Sequence, residues 1–147
     1  LALLGAEIEK PIERNKEDGW ITVSVNGIEY RGVLEIKSTG KAHFDEQGHR
    51  QVSEWIERGV SLRSIKYHGI FIGNNQCSLP PSERTNPFSD SWKRAAELKG
   101  ISAFTTSSLY LIYEKSIEGK IDLNAFWMQV FTSAGVISEF SGLDLSL

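Results

Sequence analysis

Gly19-Trp20-Ile21-Thr22-Val23-Ser24-Val25-Asn26-Gly27-Ile28-Glu29-Tyr30-Arg31-Gly32-Val33-Leu34-Glu35-Ile36-Lys37 holds two β-rich runs joined by Asn26-Gly27. An Asn-Gly pair between such runs is the strongest short hairpin signal a sequence offers, because both turn residues must adopt positive φ. A two-residue turn also fixes the register. Val25 then faces Ile28, Val23 faces Tyr30 and Ile21 faces Gly32, and the ladder carried further sets Asp18 opposite Glu35. Side chains alternate along a strand, so Lys37 shares the face of Glu35, while Leu34 and Ile36 point to the opposite, apolar side.

Opposed carboxylates on neighbouring strands repel unless a positive charge lies between them. Lys37 can supply one. Two carboxylates also suit Mg²⁺, which takes one or two of them, keeps several waters and completes its shell with phosphate oxygens. A metal held by Asp18 and Glu35 would polarise a phosphodiester and acidify a water, while Lys37 would position that water or stabilise charge in the transition state.

Outward from the hairpin, Ala6 to Ile12 is a weak edge strand limited by Pro11. The opening Leu1-Ala2-Leu3-Leu4-Gly5 reads as the last turn of an apolar helix closed by glycine. With no initiator Met before it, the chain is expected to be an excerpt of a longer polypeptide with its first helix truncated. Ser38 to Asp45 reads as a loop, and Glu46 to Arg58 as a helix stopped by Gly59, with Val52, Trp55 and Ile56 at helical spacing. Ser64 to Gly73 suits a buried central strand, followed by a polar loop from Asn74 to Pro87. Ser89-Asp90-Ser91 caps a helix over Trp92 to Lys99 that stops at Gly100. A strand over Ile101 to Phe104, a helix through Leu109, Ile112 and Tyr113 and a last helix over Leu123 to Phe131 complete the chain. The order predicts an α/β fold, a mixed sheet of about four to five strands flanked by helices.

The sequence Glu17-Asp18-Gly19, a hairpin, then Val33-Leu34-Glu35-Ile36-Lys37 resembles the PD-(D/E)XK nuclease superfamily, the restriction-endonuclease-like fold. In that superfamily an Asp and a Glu-x-Lys pair hold the catalytic metal. Gln51-Val52-Ser53-Glu54-Trp55 is similar to the Gln-x-x-x-Tyr motif of the RecB-type branch, with Trp in place of Tyr. Asn86-Pro87-Phe88 and Ile101 to Tyr110 resemble stretches of prokaryotic domains in the superfamily, so the likeness covers about residues 1–118. The resemblance implies one nuclease-like domain over residues 1–147 that hydrolyses DNA in prokaryotic defence or DNA processing. Asp18, Glu35, Lys37 and Gln51 would be its catalytic residues, with Mg²⁺ as cofactor and Mn²⁺ as substitute. It also implies a second copy, or an ATPase or helicase domain, as partner. In relatives an acidic residue on the helix before the first strand often joins the metal; that helix is largely absent here, and the role is not carried to Glu7.

The composition narrows the alternatives. Of 147 residues 40% are hydrophobic and 24% charged, with a net charge of -3, so bulk positive charge does not drive any contact with nucleic acid. The single cysteine excludes a disulfide framework or a cysteine-rich zinc module and points to a reducing, cytoplasmic setting. Apolar runs are too short to cross a bilayer. His43, His49 and His68 form no zinc spacing with Cys77, Ser107 and Ser108 read as helix caps, and Trp55 reads as core. Lys41, Arg50, Arg58, Lys93 and Arg94 read as solvated surface charge unless a phosphate lies beside them. Two further classes compete with the nuclease: a catalytically inactive module that binds nucleic acid or a protein partner, and an α/β domain whose acidic pair only salt-bridges Lys37.

Overall fold

The turn at Asn26 and Gly27 has φ of 51° and 79°, the paired positive values a two-residue hairpin turn requires. It joins strands β2, Gly19–Val25, and β3, Ile28–Ser38, in the expected register, Val25 with Ile28, Val23 with Tyr30 and Ile21 with Gly32. The computed structural model describes residues 1–11, 18–63, 66–140 and 143–144. A short strand, β1, Glu7–Glu9, lies antiparallel along the outer edge of β2. Beyond the hairpin the chain alternates helix and strand: α1, Gln47–Arg63; β4, His68–Asn74; α2, Asp90–Lys99; and β5, Ile101–Thr105. Helices α3, Thr106–Ile117, and α4, Leu123–Thr132, precede the two-residue strand β6, Gly135–Val136. The six strands form one sheet in sequence order, antiparallel from β1 to β3 and parallel from β3 to β6. Two further short strands, β7, Glu139–Phe140, and β8, Leu143–Asp144, pair with each other. The described residues therefore form an α/β fold with a six-stranded mixed sheet and four helices, one strand more than the sequence predicts. None of the helices among the described residues is long and apolar enough to cross a membrane.

Alternation along the strands builds two cores. One face carries Ile21, Val23, Leu34, Ile70, Ile72 and Phe104, covered by Ile112 of α3, by Phe126, Trp127 and Val130 of α4, and by Leu4 near the amino end. The other carries Trp20, Val33, Phe71, Ile101 and Ala103, covered by Val52 of α1 and by Trp92 and Ala96 of α2. Caps fix the helix starts: the Ser89 hydroxyl accepts from the Trp92 N–H, and the Thr105 hydroxyl from the Ser108 N–H. Gly100 closes α2 in the left-handed conformation, and Gly5 does the same for the short 3₁₀ turn Ala2–Leu4.

Two expectations are corrected here. Gly59 does not stop α1, which runs on to Arg63. A β-carbon at Gly59 would lie 2.6 Å from Tyr67 Cδ2 and 2.9 Å from Trp20 Cζ3, so the glycine is there to let two buried rings against the helix. Ile36 is 47% exposed, whereas Leu34, on the same side of β3, is 2% exposed. The register ends at Gly19 paired with Leu34, so Ile36 lies past the end of β2 and loses the cover its neighbour enjoys.

Candidate active site

Three parallel strands, β3, β4 and β5, end at one rim, where open α/β sheets commonly bind ligands. Register sets Glu35 beside Phe71 and Ala103, and Lys37 beside Gly73 and Thr105, all on the face that α1 and α2 cover. Glu35 is 8% exposed, with the fully buried Phe71 at its side. Lys37 reaches toward α1, where its ammonium donates to Gln51 Oε1 at 3.2 Å. Gln51 immediately precedes Val52, which is fully buried, so packing of α1 on the sheet determines where the amide points.

Asp45 also belongs to this group. Its Oδ1 lies 3.7 Å from Lys37 Nζ and accepts from the Gln47 N–H at 3.2 Å, tying the ammonium to the start of α1. An Asp just ahead of a helix is a capping signal and could have marked this residue from sequence.

Asp18 reaches the same rim by a different route from the one expected. Its N–H donates to the Leu34 carbonyl at 3.1 Å, although Leu34 is already the register partner of Gly19. Two consecutive residues thus meet one, as at a β-bulge, and the ladder does not continue into a direct Asp18–Glu35 pair. The carboxylate instead accepts from the Ile36 N–H at 2.5 Å, capping the free edge of β3 between Glu35 and Lys37. That contact uses one oxygen, and an ionised carboxylate keeps acceptor capacity on the other. Glu17, the first residue of the motif string, lies outside the described residues.

Among the described residues no three His, Cys, Asp or Glu side chains gather as a metal-binding group. Asp18, exposed, and Glu35, 8% exposed, offer only oxygen donors, chemistry that suits Mg²⁺ and not a closed zinc site. Asp18 and Glu35 are the residues that would hold such an ion.

His49 and His68 make their contacts away from the Lys37–Gln51 pair. His49 turns from Gln51 toward α2, with its Nδ1 3.0 Å from Lys99 Nζ and its ring 5.8 Å from that of Trp92. Burial, then the neighbouring Lys99 and Arg50 charges, lower its pKa against the opposing pull of Glu46. His68 lies inside the sheet with Nε2 2.8 Å from Ser102 Oγ. Burial, aided weakly by Lys66 and opposed by a hydrogen bond that the ring donates to the Val130 carbonyl, pushes its pKa down to about 4. His43 is an exposed loop residue, and Cys77 is free and exposed. Trp55 packs at the edge of the α1 core, where Arg58 lies 5.8 Å above its ring. Arg50 and Lys93 sit near Glu54 and Asp90 at 3.9 and 3.2 Å. Surface pairing of this kind is worth little in stability.

A six-stranded α/β sheet with a carboxylate, lysine and glutamine cluster at its carboxyl rim is therefore the class of molecule this chain represents. No family model, curated protein or solved structure matches it.

Proposed function

We propose that the chain is a Mg²⁺-dependent nuclease domain of the PD-(D/E)XK type that hydrolyses phosphodiester bonds in DNA. The observation that carries the reading is the Lys37–Gln51 hydrogen bond of 3.2 Å, made where β3 also carries Glu35 and is capped by Asp18. A lysine on a strand could point anywhere into solvent; here a helix amide holds its ammonium at the rim. Mg²⁺ bound by Asp18 and Glu35 would supply charge neutralisation and polarisation of the phosphate. Lys37 donates hydrogen bonds toward the attacking water or a non-bridging phosphoryl oxygen, and Gln51 and Asp45 limit the directions it can take. Phe71, the register partner of Glu35, packs on Phe44 with ring centroids 5.2 Å apart, an apolar wall beside the carboxylate. Hydrolysis adds water across phosphorus and the leaving sugar oxygen, which departs with a proton.

Glu35→Ala and Lys37→Ala should each abolish Mg²⁺-dependent cleavage of DNA while circular dichroism and thermal melting show the fold retained. Undiminished cleavage by both variants refutes the reading. One observation favours a second reading, a nuclease-like module without catalysis that binds nucleic acid or a protein: Asp18 already has a structural task as cap of Ile36, which requires no metal. Under that reading Mn²⁺ titrated into the protein gives no heat, and DNA or protein binding is insensitive to Glu35→Ala.

A further inference from the structure

The loop of residues 75–89, between β4 and α2, is pinned across the same rim. Asn75, 2% exposed, donates through Nδ2 to the carbonyls of Ala42 at 3.0 Å and Thr85 at 2.9 Å. Gln76 Oε1 accepts from the Thr85 N–H at 2.8 Å, and the Gln76 N–H donates to the Lys41 carbonyl at 3.1 Å. These bonds bring Arg84 to the end of β4. Its Nε donates to the Leu79 carbonyl at 2.9 Å and its Nη1 to Asn74 Oδ1 at 2.7 Å. Both acceptors are neutral. Arg31, Arg50, Lys93, Lys115 and Lys120 each lie within 4.0 Å of a carboxylate, but among the described residues Arg84 has none. A guanidinium has five N–H donors, and these bonds occupy two. The remaining donors, all on the outer nitrogens, form a fork held at a fixed place, the geometry that recognises phosphate oxygens in pairs. Because the side chain is anchored already, little rotamer freedom is lost when it binds.

The position of Arg84 relative to the candidate active site follows from the sheet. Asn74 is the register partner of Ser38, the residue after Lys37, and its Nδ2 donates to Ser38 Oγ at 3.3 Å. Ser38 and Asn74 alternate with Lys37 and Gly73, so Arg84 stands at the strand ends on the α3 side of the sheet, across the rim from Lys37, where Asn74 Oδ1 also accepts from Thr106 Oγ1 at 3.2 Å. A nucleic-acid strand carries a phosphate for about every 3.4 Å of helix axis, so a strand laid over the strand ends from one face of the sheet to the other presents successive phosphates along the rim.

We infer that Arg84 binds a phosphodiester adjacent to the one cleaved, and so sets the register of the nucleic-acid strand over Lys37. The inference rests on the nuclease reading for the identity of the cleaved bond, but phosphate binding by Arg84 can be measured without cleavage.

The test uses fluorescein-labelled single-stranded and duplex DNA, with Glu35→Ala as a non-cleaving background, and anisotropy between about 50 and 200 mM salt. Adding Arg84→Ala should weaken binding roughly tenfold at the low end and reduce the slope of log affinity against log salt by about 1. Arg84→Lys should retain the slope and recover only part of the affinity, since it keeps the charge but not the fork. With Glu35 intact, Arg84→Ala should raise KM and also lower kcat, because the strand is held less well in register over Lys37. If Arg84 only staples the loop, Arg84→Ala lowers the melting temperature but leaves the salt slope where it was, and the proposal is overturned. If inorganic pyrophosphate binding depends on Arg84 while the DNA slope does not, the residue serves a free phosphate and the nucleic-acid assignment is overturned. The proposal is equally overturned if the Glu35→Ala protein binds neither DNA. Cleavage that survives Glu35→Ala would instead refute the nuclease reading and leave the Arg84 binding result standing.

Discussion

Acid should loosen this protein through His68, and the size of the effect follows from its surroundings. Ser102 Oγ has one proton and faces the carbonyls of Val130 at 2.6 Å and Ser133 at 2.9 Å, so it donates to these and accepts from the ring N–H of His68. Nε2 therefore carries a proton, burial keeps the ring neutral near pH 7, and the imidazole links β4 and β5 to the end of α4. Burial lowers its pKa from 6.5 to about 4. A depressed histidine pKa means that the folded state holds the neutral form, so this contribution is complete above pH 6.5 and falls as pH drops toward 4. At about 1.36 kcal/mol per unit, the loss over that window approaches ~3 kcal/mol, a large fraction of the stability of a domain. His68→Gln keeps a side-chain amide donor for Ser102 and cannot titrate there. Urea unfolding at pH 7 and at pH 4 should show wild type losing about 3 kcal/mol more than His68→Gln between the two. Equal losses, or an NMR titration placing His68 near 6.5, would refute the reasoning.

Gly59→Ala gains helix propensity yet drives a methyl into Trp20 and Tyr67, whose rings meet edge to face at 4.6 Å. Since both rings are buried, the expected net result is destabilisation of about 1–2 kcal/mol in urea unfolding, where a surface glycine in a helix would be stabilised by the same change. Gln51→Ala removes the acceptor that holds Lys37, and with a hydrogen bond to a charged group worth about 1.5–3 kcal/mol, kcat should fall by roughly 10- to 100-fold. Gln51→Glu should recover most of that loss, and a kcat unaffected by Gln51→Ala would remove the glutamine from the site.

The hairpin was legible because an Asn-Gly turn leaves two β-rich runs only one register, and the core residues Ile21, Val23 and Leu34 followed from strand alternation. The cap Ser89 and the stop at Gly100 were legible for a local reason, each satisfying backbone groups a few residues away, whereas α3 is capped by Thr105 and the expected caps Ser107 and Ser108 lie inside the helix. Only the pairing of Asp18 with Glu35 was misread, because a bulge depends on what the carboxylate finds at the end of the ladder, and the Ile36 N–H is brought there by the partner strand. Gly59 was misread as a stop because the rings of Trp20 and Tyr67 approach from distant parts of the chain. Strands of two residues, such as β6, carry no periodicity at all. Asp45 and Arg84 lie in loops, where position comes from hydrogen bonds to other loops and has no pattern along the chain. Lys37 and Gln51 were legible as candidates, but their contact depends on how α1 packs on β3.

The most direct measurement of the central claim is anomalous diffraction from crystals soaked in Mn²⁺. One peak is expected at the carboxyl rim, within about 2.0–2.6 Å of a carboxylate oxygen of both Asp18 and Glu35 and otherwise surrounded by water. A rim with no peak, the Asp18 carboxylate still on the Ile36 N–H and Glu35 turned from it, would contradict the assignment of these two acids as metal ligands.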